Sequence, residues 1–493
     1  MERREINMEK LEAQTRRHFI KNCTLGLGGL ALSSLISACD RGASRNLRLS
    51  GPGGGPMAPK PPYFPGKVKH VIYIHLAGAP SQLELFEYKP DLVKLNGKAC
   101  PQSLLQGKRF AFIRGVPKML GPQAEFKQHG ESGAWISNYL PHLSTIADEL
   151  TFLKAVHTDQ FNHAPAQLLM HTGTPRLGRP SMGSWVTYGL GSENSNLPGY
   201  VVLTSGGNNP DAGKSVWGSG FLPSVYQGIQ CRSDGDPVLF INNPDHIDRE
   251  NREASVRAIN EINKHTYDEF NDPEILTRIS QYELAFRMQA TVPEVMNIAD
   301  EPRFVHDMYG SDPDRSIFAN NALLARKLVE KGVRYVQLFD WGWDTHGTSE
   351  QGSIDVGLVN KCRQTDKAVT ALVLDLKQRG LLDETLVVWG GEFGRTPMQE
   401  NREGKTNRFK GRDHHADAFT MWMAGGGLKK GFSFGETDEI GYSGISGQVT
   451  PYDIQATILH LLGFDHEQLT YPFQGRPFRL TDVHGTVIKD ILA

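Results

Sequence analysis

Thr385-Leu386-Val387-Val388-Trp389-Gly390-Gly391-Glu392-Phe393-Gly394-Arg395-Thr396 carries the reading of the whole chain. An unbroken apolar and β-branched run predicts a strand buried on both faces. The glycines that follow end the strand and let backbone approach a ligand closely. The first charged side chain beyond them is Glu392. Working outward, the same plan recurs. Residues 68–76 form a β-branched run that meets Ala77-Gly78-Ala79-Pro80, and residues 332–339 form another that meets Asp340-Trp341-Gly342-Trp343-Asp344-Thr345-His346-Gly347. Further strands are predicted over 150–156, 200–203 and 419–423. Helical patterns lie between them, at 164–171, 320–331, 361–379 and 452–462. In the third of these Val369, Leu372, Val373 and Leu376 repeat at helical spacing, and Gly380 stops the helix. Strands alternating with helices predict an α/β fold, a mostly parallel sheet with helices on both faces. Residues 245–310 are charged and helix-prone, which predicts a helical insertion. The main domain is therefore expected over 67–493.

Such sheets bind ligands beyond the C-terminal ends of their strands. The loops predicted there carry Glu392, then Asp344 and His346, and, ahead of the strand at 419–423, Gly411-Arg412-Asp413-His414-His415. Carboxylate and imidazole are the ligands of hard and borderline divalent ions, so zinc, calcium, magnesium or manganese is expected at this rim. Asp344 and His346 are two apart and face the same way on an extended segment. His414 and His415 are adjacent and face opposite ways, so one is a ligand and the other orients it or faces substrate. Asp344, His346, Glu392, His414 and His415 form the candidate ligand set.

The 493 residues carry 53 Lys+Arg and 55 Asp+Glu, a formal net charge of -2. That balance gives no support to nucleic acid as a partner, which usually requires a basic face. The N-terminus is set apart. Arg16-Arg17-His18-Phe19-Ile20-Lys21 precedes a mildly apolar stretch at 25–38 that contains Gly26, Gly28 and Gly29. The stretch is too short for a membrane span. It resembles a twin-arginine export signal over residues 1–39, the alternative being a basic tail before a short core helix. Ile36-Ser37-Ala38-Cys39 resembles a lipobox, with Cys39 as a lipid anchor, or is a plain cleavage site. The expected location is the periplasm or the outer side of the inner membrane. Residues 40–66, rich in Gly, Pro and Ser, predict a flexible tether. Only Cys100, Cys231 and Cys362 remain beyond the signal, enough for one disulfide at most.

The strand at 385–389 with its Glu392 loop resembles the strand of alkaline-phosphatase and sulfatase relatives that ends in Asp-His-Gly. His414 ahead of a strand and Ala424-Gly425-Gly426-Gly427 resembles their last histidine. More closely, Gly78-Ala79-Pro80-Ser81, His171-Thr172-Gly173, Arg179-Pro180-Ser181-Met182-Gly183-Ser184-Trp185 and Gly391-Glu392-Phe393-Gly394-Arg395-Thr396 resemble the exported family catalogued as domain of unknown function 1501, over residues 65–493. The resemblance implies an alkaline-phosphatase-like core. It also implies departures. The usual aspartate ending the first strand is missing, leaving His75, Ser81 or Glu84 to substitute. The nucleophile motif becomes His163-Ala164-Pro165-Ala166-Gln167, with no cysteine to convert to formylglycine.

The expectation is thus an exported, metal-dependent hydrolase of phosphate or sulfate esters, acting on an anionic small molecule or glycan. The attacking group is either His163 itself or metal-bound water with His163 as general base. Arg395 or Arg179 would hold the ester. The alternative is a non-catalytic surface protein that keeps the fold and binds an anionic ligand or glycan.

Overall fold

A computed structural model describes residues 55–232, 237–238, 242–243 and 246–493. The expected signal, Cys39 and the first part of the tether lie outside the described residues.

Eight strands form one sheet: β1 (His70–Ala77), β2 (Thr151–Val156), β3 (Tyr200–Ser205), β4 (Ile229–Cys231), β5 (Tyr335–Trp341), β6 (Thr385–Gly390), β7 (Phe419–Gly425) and β8 (Phe432–Phe434). Their order across the sheet is β8-β2-β7-β6-β1-β5-β3-β4. β1 pairs in parallel with β5 on one side and β6 on the other. β7 alone runs against its neighbours β6 and β2.

Every residue of β1 is buried. Its side chains alternate, as a strand requires. Ile72, Ile74 and Leu76 enter one core, Val71 and Tyr73 the other. The first core is covered by α5 (Phe318–Glu330) and α6 (Val359–Gln378), which present Leu323, Leu324, Val369 and Leu372. The second is covered by α1 (His163–Thr172), α2 (Met182–Leu190) and α7 (Pro451–Leu461), which present Met170, Trp185 and Ile458. All six predicted strands and all four predicted helices are present, with ends shifted by at most three residues.

The insertion is a helical hairpin, α3 (Arg249–Phe270) and α4 (Pro273–Met296). Asp248 and Asp272 cap the two helices through their carboxylates. Met288, Val292, Val295 and Met296 of α4 join the first core, whereas α3 buries only Val256 and Asn260.

One expectation is corrected. The tether does not extend to residue 66. Ala58 already turns back onto Gly55, and Lys60 donates its amide to Leu190 O and its ammonium to Tyr188 O. Tyr63 N donates to Gly463 O. Backbone pairing and the burial of Lys60 between tyrosine rings dock this stretch on the domain. Cys100, Cys231 and Cys362 are buried and unpaired. No helix among the described residues is long and apolar enough to cross a membrane.

Candidate metal centre

The direction of β7 brings the site together. Trp422 pairs with Trp389 and Gly425 with Leu386, so β7 begins where β6 ends. The loop ahead of β7 therefore reaches the same rim as the loops that follow β1, β5 and β6. There His414-His415 pairs antiparallel with Gly394-Arg395. Beyond β5, Asp344 and His346 pass over Gly78, whose φ is +110° and where a Cβ would lie 2.5 Å from the Asp344 amide. α1 starts at the rim with His163.

Four side chains converge: His163, Asp344, His346 and His414, each offering a ligand atom within 4.8 Å of the others. Asp344 Oδ1 lies 2.8 Å from His346 Nε2 and 3.5 Å from both His163 Nε2 and His414 Nε2. The Nε2 atoms of His346 and His414 are 3.1 Å apart.

The opposite ring nitrogens explain this crowding. His163 Nδ1 donates to Glu392 Oε1 at 2.7 Å, His414 Nδ1 donates to Phe161 O at 2.7 Å, and His346 Nδ1 donates to Glu400 Oε2. With each Nδ1 proton placed on an oxygen, each Nε2 keeps its lone pair, and the three lone pairs face Asp344. Metal-binding imidazoles are oriented in this way. His163 Nε2 is buried and lacks a hydrogen-bond partner. Bonds of about 2.0–2.1 Å in a tetrahedron put donors about 3.3 Å apart, in the middle of the observed separations. The residues fit a divalent ion held by three nitrogens and one oxygen.

Without the ion, the carboxylates favour protons on two of these rings, which a cation would displace. Burial disfavours charge on His163, but the carboxylates of Asp344 and Glu392 outweigh it and raise its pKa to about 9. Burial likewise opposes the charge on Asp344, yet Arg395 and the three histidines hold its carboxyl far below the usual range. Burial lowers His414 to about 4, with the charges of Arg395 and His163 adding to it. His346 is raised by Asp344 and Glu400 against its own burial. The Asp344 side chain is 37% exposed, so the cluster opens to solvent on that side.

Several expected site residues lie elsewhere. Glu392 is fully buried behind His163. It accepts from His163, from Gly78 N and from Gln167 Nε2, and its second oxygen lies 3.2 Å from His75 Nε2. It is outside the converging set because its loop dives under β1. A Cβ on Gly391 would lie 2.9 Å from the Ala79 Cα. His415 points away, as adjacent extended residues must, with its Nε2 against Tyr442 O. Arg395 is fully buried, and its guanidinium is spent on the carbonyls of Ala79, Gly78 and Arg412 and on Asp344 Oδ1 at 2.5 Å. It fixes Asp344 and has no free face for an ester. Arg179 pairs with Asp482 and covers the Phe478 ring, with no contact to the four donors. Of the substitutes for the missing strand-end aspartate, Glu84 is held in a buried pair with Arg412 and accepts the Ser81 hydroxyl, and His75 faces Glu392. His163, expected beside the metal, lies within the donor set. Glu400 and the Phe161 carbonyl were not singled out by the sequence. Glu400 follows no strand, and its only signal was its place in the same loop as Glu392.

Residues 68–492 match the family described as protein of unknown function, DUF1501. The chain belongs to the DUF1501 family. No curated protein matches this DUF1501 chain. Solved structures similar to it include a sulfatase from Pseudoalteromonas sp., with 12% identity, 81% of this chain and 68% of the other covered, and a TM-score of 0.35. An alkaline phosphatase from the Antarctic bacterium TAB5 is similar at 11% identity, 81% and 99% coverage, and a TM-score of 0.35. A phosphonate monoester hydrolase from Silicibacter pomeroyi is similar at 12% identity, 80% and 74% coverage, and a TM-score of 0.28.

Proposed function

We propose that this DUF1501 protein is an exported, metal-dependent hydrolase of phosphate or sulfate esters. One observation carries the reading: three imidazoles, each anchored through Nδ1, aim their Nε2 lone pairs at a half-open carboxylate. When bound, a divalent ion supplies Lewis acidity, drawing charge from an anionic ester and acidifying water. His163, His346, His414 and Asp344 would hold it. Glu392 and Glu400 keep the protons on Nδ1 of His163 and His346, and Arg395 keeps Asp344 aimed. With His163 in the donor set, water is the attacking group in this reading. The half-exposed edge of Asp344 is where substrate enters.

A second reading has one observation in its favour. Both arginines expected to grip the ester are occupied elsewhere, which suits a protein that binds an anionic ligand without turning it over.

One experiment separates them. Purified protein is assayed for metal by elemental analysis and for turnover on chromogenic phosphate and sulfate esters, beside Asp344→Ala and His346→Ala. One metal per chain with turnover, both lost in the variants, supports the hydrolase. Metal without turnover of any ester supports the binding protein. Folded protein without stoichiometric metal removes the centre itself.

A further inference from the structure

The chain is slightly acidic overall, yet the two loops that flank the centre are basic. Residues 105–118 contain four Lys or Arg and no Asp or Glu, and residues 400–411 contain four against Glu400 and Glu403. Both loops touch the donors directly. Phe112 packs edge-on against His346 at 4.8 Å and His414 at 5.6 Å. Asn407 Nδ2 donates to His346 O at 2.8 Å, and Phe409 N donates to Gly347 O. Glu400 is fully buried and bound to His346 and Arg402, so it offers no charge to the surface. Lys108 pairs with Asp417. Arg109, Lys405 and Arg408 are exposed and form no ion pair with a described residue.

A single reacting ester brings one anionic group to the centre. A rim of exposed cations on both sides suits further anionic groups on the same molecule, since clustered charge attracts and steers a polyanion. The aromatic rings argue against stacked bases as the partner. Single-strand nucleic acid is held by open aromatic faces. Beside the centre the Arg402 guanidinium covers Phe112 at 3.9 Å and Arg408 covers Phe409 at 5.2 Å, while Phe161 is 38% exposed.

We infer that the substrate is a polyanionic polysaccharide, a sulfated or phosphorylated glycan whose unreacted anionic groups lie along the loops 105–118 and 400–411. This rests on the hydrolase reading of the centre, but its test reads binding alone.

The full-length protein is titrated against labelled dextran sulfate, uncharged dextran, polyphosphate and a single-stranded oligodeoxynucleotide, at low and at physiological salt. Beside it stands the triple variant Arg109→Ala, Lys405→Ala, Arg408→Ala, shown by its melting curve to be folded. The expected result is binding of dextran sulfate but not dextran, weakened about tenfold or more by added salt and by the triple substitution. Preference for dextran sulfate over polyphosphate assigns sulfate, and the reverse assigns phosphate. Equal binding of charged and uncharged dextran, unaltered affinity in the triple variant, or tightest binding of the oligodeoxynucleotide overturns the inference. Turnover of small esters without polyanion binding defeats this inference alone. Polyanion binding without metal or turnover defeats the hydrolase reading and leaves the basic rim standing.

Discussion

A histidine ring has two nitrogens, and at this centre the far one decides what the near one does. Glu400 is the sharpest case. It is fully buried, and its role is to accept the Nδ1 proton of His346. Substituting Glu400→Gln keeps the shape but removes the charge that favours this tautomer. Metal affinity, measured by chelator competition, is expected to fall about 10- to 100-fold with the fold intact. His163 makes a second prediction. In metal-free protein its pKa is about 9, raised by Asp344 and Glu392 against burial, compared with about 6.5 in the unfolded chain. A raised pKa gives stability that is complete below pH 6.5 and is lost as pH climbs through 9. The expected loss between pH 6.5 and 9.5 is of order 1–3 kcal/mol, and it should be absent from His163→Gln when the two are unfolded with urea side by side. Sequence spacing could place Asp344 and His346 on one face, and Asp344 Oδ1 lies 2.8 Å from His346 Nε2. It could not give depth. Glu392 and Arg395 follow the same strand, but Gly391 against Ala79 pulls that loop beneath β1, so both end up behind the ligands rather than among them.

Loops of this centre touch backbone to backbone, and two glycines permit it. A Cβ at Gly411 would lie 1.9 Å from the carbonyl carbon of His346, and the one at Gly78 would crowd the Asp344 amide. Gly411→Ala must push the His346 loop away from His414. The expected outcome is a lower melting temperature together with loss of bound metal, whereas an alanine at Gly218, where φ is -74° and the nearest atom to a Cβ is 3.6 Å away, should change neither. The elements themselves were readable in the sequence, because β-branched runs and helical spacing act locally. Val369, Leu372, Val373 and Leu376 marked α6, and the run from Val71 to Leu76 marked β1. What was not readable was the docking of residues 56–66, since a Gly/Pro-rich stretch looks alike whether it pairs with Leu190 and Gly463 or not.

Across the whole molecule, the centre joins the start of α1, the end of β5 and the approach to β7. A ligand that binds only the folded state stabilises it by mass action. Removing metal with a chelator is therefore expected to lower the melting temperature, by about 2.7 kcal/mol of stability if free metal stood at a hundred times Kd. Readdition should restore it, and Asp344→Ala should show no response to either step. The mostly parallel sheet was evident from the alternation of strand and helix. The reversal of β7 was not, because an isolated apolar run has no direction. Yet that reversal is what carries His414 to its partners.

The reversal of β7 also sets an order of events. β7 is wedged between β2 and β6, and neither neighbour can bring His414 to the rim by itself. The last donor reaches its post only when that gap in the sheet has been filled. Cation capture is then a receipt for completed folding, and metal content per chain becomes a gauge of correct assembly in any preparation.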